Sequence, residues 1–75
     1  MDLGSRIAAW RKSRNMTQQA LADAAGVTRA AVSQWEGGGN TKATPSHEHL
    51  TKVVAAFGLT MERFYGRLPK ISKAS

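Results

Sequence analysis

Cysteine is absent from this chain of 75 residues, which excludes disulfide staples, thiolate zinc sites and cysteine nucleophiles. Acid is scarce. Five Asp and Glu face eleven Lys and Arg, for a formal net charge of +6, and the pI is about 10.6. That imbalance suits a polyanionic partner: DNA, RNA or an acidic membrane surface. No apolar run approaches the roughly 20 residues that span a bilayer. The opening Met1-Asp2-Leu3-Gly4 lacks the basic-then-apolar order of a signal peptide. The expectation is a cytoplasmic protein. Repeats and low-complexity segments are missing too, and no stretch alternates apolar and polar residues long enough to make a strand. The length allows one domain with a modest core, in the range where domains of about 55–65 residues can fold alone.

Helical periodicity is what remains, in five segments. The first runs from Leu3 to Arg14, with Leu3, Ile7 and Trp10 on its inner face and Arg6, Lys12 and Ser13 pointing elsewhere. Asn15 tolerates the left-handed conformation that ends helices. The second is capped by Thr17 and ends near Ala25, with Leu21, Ala22 and Ala25 inward. Gly26 supplies the freedom for a sharp turn, and Val27 tucks into the core. The third helix is capped by Thr28 and runs to about Glu36, with Val32 and Trp35 inward and Arg29, Ala30, Ser33 and Gln34 outward. Gly37-Gly38-Gly39 ends it, and a polar loop leads to Pro45. Ser46 caps a fourth helix with a stripe of Leu50, Val53, Val54 and Phe57, stopped by Gly58. Thr60 to Tyr65 make a short fifth, with Phe64 inward and Leu59 and Met61 filling gaps. The predicted fold is all-α: a compact five-helix domain over residues 1–66, followed by a basic tail, 67–75, that holds Arg67, Lys70 and Lys73.

Residues 18–36 hold the densest information. Two short helices joined at Gly26, the second polar on one face and apolar on the other, form the pattern of a helix-turn-helix. Here the chain resembles the lambda-repressor-like group of DNA-binding domains (Cro/CI, Xre type). The likeness covers about Leu3 to Tyr65. It is carried by Met16-Thr17-Gln18, Leu21-Ala22, Ala25-Gly26-Val27, Val32-Ser33-Gln34-Trp35-Glu36 and Phe57-Gly58-Leu59-Thr60, with Leu50, Val54 and Phe64 at core positions. The stretch from Glu36 to Pro45 is a few residues longer than is usual in that family.

The resemblance implies a third helix that enters the DNA major groove. Arg29 suits a bidentate bond to guanine O6 and N7, and Gln34 suits adenine N6 and N7. Ser33 reaches a base edge or a phosphate, and Ala30 fits a thymine methyl. By the same resemblance Gln18 contacts a phosphate. Thr17, Thr28, Asn40, Thr41 and Lys42 are further backbone contacts, which fix register more than sequence. The family also implies a partly buried ion pair between Arg11 and Glu36, which takes both out of DNA reading. The implied function is a transcriptional regulator, a repressor that binds a near-palindromic operator as a homodimer on double-stranded DNA. The rival readings are an antitoxin-type module that also binds a toxin, and a restriction–modification controller.

Other chemistry finds little support. Trp10 and Trp35 fall at core spacing rather than as base-stacking platforms, while Tyr65 is open to either a surface or a dimer role. His47 and His49 are two apart, which on a helix sends them in different directions, and no further ligand completes a metal site. Gly37-Gly38-Gly39 follows a helix and not a strand, so it does not fit a nucleotide-binding loop. No Ser/His/Asp arrangement or carboxylate pair stands out. An enzyme, a cofactor, a metal, a small-molecule substrate and a membrane role are all unexpected.

Overall fold

The computed structural model describes residues 2–37 and 43–69. They form five helices: α1 (Leu3–Ser13), α2 (Gln18–Ala25), α3 (Arg29–Trp35), α4 (His47–Ala56) and α5 (Met61–Tyr65). No strand occurs among the described residues.

All five helices start in the same way. The first amides of a helix have no carbonyl to bond within it, and a polar side chain just ahead can accept from them. Asp2 accepts from the Ser5 amide at 2.9 Å, Thr17 from Ala20 at 3.0 Å and Thr28 from Ala31 at 3.2 Å. Ser46 accepts from His49 at 3.2 Å and Thr60 from Arg63 at 3.1 Å. Losing a threonine cap such as Thr28 costs about 1 kcal/mol. Arg14, Glu36 and Thr60 were expected inside helices and instead flank them as caps. Helix ends fray over this range, because the terminal residue keeps a hydrogen bond but loses helical dihedrals.

Two glycines carry the packing geometry. Gly26, at φ 73°, turns the chain between α2 and α3. The Val27 amide closes that turn on the Ala22 carbonyl at 3.0 Å. Gly4 answers a different need. A Cβ there would lie 1.8 Å from the Trp35 carbonyl oxygen. The start of α1 therefore rests directly on the end of α3, and no side chain fits between them.

The core is Ile7, Trp10, Leu21, Ala22, Ala25, Val32, Trp35, Leu50, Val53, Val54, Phe57 and Phe64, with Leu3, Met16, Val27, Leu59 and Met61 packed around it. Burial of a side chain such as Leu21, Val32 or Phe64 contributes roughly 1.5–3 kcal/mol, more than any single cap. Ala22 and Ala25 are fully buried, and their small size lets neighbouring helices lie close on α2. α2 packs against both α3 and α4, which fixes the angle at which α3 is presented.

Candidate nucleic-acid interface

The seven residues of α3 divide cleanly. Val32 and Trp35 are buried, and Ala31 packs against the same core. Arg29, Ala30 and Gln34 are exposed, while Ser33 is half-buried. The outward face thus offers a guanidinium, a methyl and a primary amide, with a hydroxyl set slightly deeper. A guanidinium and an amide each present two groups in a plane, which matches the edges of guanine and adenine in the major groove.

Thr17 and Thr28 are exposed at the first turns of α2 and α3. Their oxygens cap those helices as acceptors, so each hydroxyl keeps its hydrogen to donate. Gln18 is half-buried at the start of α2. Asn40, Thr41 and Lys42 lie outside the described residues, as do Lys70 and Lys73 of the tail.

At the C-terminal end of α3 sits an ion pair. Arg11 Nε donates to Glu36 Oε2 at 2.8 Å and Arg11 Nη2 to Glu36 Oε1 at 3.0 Å. Two parallel charge-assisted bonds of this kind fix both planes. The side chains are only 12% and 7% exposed. Arg11 Nη1 also holds the Met16 carbonyl at 2.8 Å, which ties the loop between α1 and α2 to the end of α3. Gln18 Nε2 joins the cluster with a bond of 3.1 Å to Glu36 Oε1.

A match to the helix-turn-helix family runs over residues 7–64. The chain belongs to that family. It is the lambda-repressor-like, Cro/CI-type helix-turn-helix family, and its members bind DNA and regulate transcription. No curated protein matches the chain.

Within the helix-turn-helix domain, several contacts escaped sequence reasoning. Arg6 Nη1 donates to the carbonyls of Phe64 at 3.1 Å and Gly66 at 3.2 Å, at the end of α5. Arg14 Nε donates to the Phe57 carbonyl at 2.9 Å, at the end of α4, with its guanidinium 5.1 Å over the Trp10 ring. Positive charge at a helix C-terminus is favoured by the helix dipole. Tyr65 is 51% exposed, set edge-on to Phe64 and beneath Arg6. His49 packs near Trp35 with ring centroids 6.4 Å apart, while His47 is exposed. Among the described residues no three metal-ligating side chains gather, and no helix is long and apolar enough to cross a membrane.

Proposed function

We propose that this domain is a sequence-specific transcriptional repressor of Cro/CI type. It acts as a homodimer on double-stranded DNA, in the cytoplasm. Two copies set their α3 helices into successive major grooves about 34 Å apart on a near-palindromic operator. Arg29, Ala30, Ser33 and Gln34 read base edges. Thr17, Gln18 and Thr28 hold backbone phosphates, together with Asn40, Thr41 and Lys42 of the loop. Residues 1–66 are the DNA-binding unit and 67–75 a basic tail. Repression follows from occlusion of RNA polymerase. No step of this function requires catalysis or a cofactor.

The observation that carries the reading is the split of α3, with Val32 and Trp35 buried beneath an exposed Arg29, Ala30 and Gln34. Selection of binding sites from random DNA tests it and returns half-site, spacing and symmetry together. Arg29→Ala is expected to weaken binding by about 1–3 kcal/mol and to relax preference at one base pair. Arg67→Ala, in the tail, is expected to weaken all sequences alike. If both variants relax base preference equally, Arg29 does not read the groove.

A further inference from the structure

Gln18 is bonded to the acid that closes α3. Its Nε2 donates to Glu36 Oε1 at 3.1 Å, and the same oxygen accepts from Arg11 Nη2 at 3.0 Å. We propose, resting on the DNA-binding reading above, that Glu36 is a positioning residue for Gln18. It fixes which edge of the Gln18 amide a DNA phosphate meets.

The argument is one of donors and acceptors. A primary amide has a donor edge with two N–H groups and an acceptor edge with one carbonyl. An exposed glutamine samples both. A carboxylate only accepts, so the amide beside Glu36 must turn its NH2 toward it. One N–H is then committed to Glu36, and the second is left on the same edge. A phosphate oxygen also only accepts, so the edge that Glu36 selects is the edge a phosphate needs. Gln18 can bridge Glu36 and the DNA backbone without turning over.

Arg11 makes this arrangement workable. A bare carboxylate near the DNA backbone would repel it. The bidentate guanidinium at 2.8 and 3.0 Å balances the Glu36 charge, so the carboxylate orients the amide without opposing the phosphate. Its burial holds the carboxylate still. Gln19, the next residue, shows the contrast. Its Nε2 donates to Asp23 Oδ1 at 2.9 Å on an exposed face, where no buried guanidinium anchors the acid.

The experiment pairs side-chain NMR on the free protein with a double-mutant cycle on DNA. In the wild-type protein the Gln18 side-chain amide is expected to be more rigid than that of exposed Gln34. Glu36→Gln should abolish that difference, because an amide at position 36 can meet Gln18 in either sense. The DNA probe is a duplex carrying the site selected from the random pool, used at a temperature where every variant is folded by circular dichroism. Gln18→Ala and Glu36→Gln should each weaken binding roughly tenfold, and the double variant no more than the worse single one. Gln19→Ala should leave affinity unchanged. A purely structural role for Glu36 would instead make the two losses multiply, and that result overturns the proposal. So does a wild-type Gln18 amide as mobile as that of Gln34, a comparison that needs no variant to fold. Should the wild-type protein select no duplex at all, the DNA-binding reading fails, and the NMR comparison still decides whether Glu36 positions the amide.

Discussion

Replacing Gly4 with alanine should destabilise this domain, against the ordinary rule for helices. Alanine in a helix is worth up to about 1 kcal/mol over glycine, so propensity alone predicts a gain. The structure reverses the sign. The new Cβ would lie 1.8 Å from the Trp35 carbonyl oxygen and 2.9 Å from its carbonyl carbon. Real Cβ contacts stay beyond about 3 Å, so the two helices must separate by more than 1 Å. Neither obstructing atom is the movable end of a side chain. Both belong to backbone that is held by the burial of Trp35 and the bonds of Glu36. Overpacking of this kind costs typically 1–3 kcal/mol, occasionally more. Fraying the first turn of α1 avoids the clash but gives up the Asp2 cap on the Ser5 amide and the packing of Leu3. An approach as close as 1.8 Å to backbone belongs to the upper part of that range, about 2–3 kcal/mol, so the net loss after propensity is about 1–2 kcal/mol. For a domain of this size that lowers the melting temperature by roughly 4–16 °C. Thermal unfolding followed by circular dichroism measures it. A melting temperature equal to or above wild type would show that α1 does not rest on α3 as described.

Glu36→Ala leaves the Arg11 guanidinium largely buried without its acid, and the expected loss is about 3–5 kcal/mol, read by urea unfolding. Arg14→Gln removes the guanidinium from the Phe57 carbonyl and the Trp10 ring. It should lower unfolding stability by about 1 kcal/mol while leaving the slope of DNA affinity against log salt unchanged. The Ser5 amide that donates to Asp2 holds its carboxyl below the ordinary value of 3.8. A lowered native pKa stabilises the fold above the unfolded value, and that contribution disappears as pH falls through the native one. Asp2→Asn should therefore flatten the stability profile below about pH 4, as measured by unfolding at a series of acid pH values.

The helix-turn-helix was legible because its signals are local. Leu21, Ala22, Val32 and Trp35 mark buried faces by spacing, Thr17 and Thr28 mark helix starts, and Gly26 marks the turn between them. Gly4 was not legible, since what makes it necessary is a carbonyl 31 residues away in sequence. Arg6 and Arg14 point at backbone carbonyls of Phe57, Phe64 and Gly66, and a carbonyl has no residue type to betray it. The bond from Gln18 to Glu36 depends on the start of α2 lying beside the end of α3. That adjacency follows from the helix-crossing angle, which no periodicity encodes.

The basic composition that first pointed to a polyanion overstates what DNA can meet. Arg6, Arg11 and Arg14 all lie on or beside α1, and each is tied to groups of the protein itself. They draw together the ends of α4 and α5, the loop before α2 and the cap of α3. Turning these guanidinium groups away to phosphates would break those bonds and take a donor from the Phe57 and Gly66 carbonyls and from Glu36. Of eleven Lys and Arg, these three are bonded between elements of the fold, which leaves at most eight for a nucleic acid. In the proposed function other residues hold the phosphates, and the charge of these three adds to the long-range field that draws DNA in. Encounter rates should therefore follow the full net charge, while the counterions released on binding should follow only the remaining cations. In the proposed function Arg11 acts on DNA at one remove, by holding the end of α3 in place, while Arg6 and Arg14 secure the ends of α5 and α4.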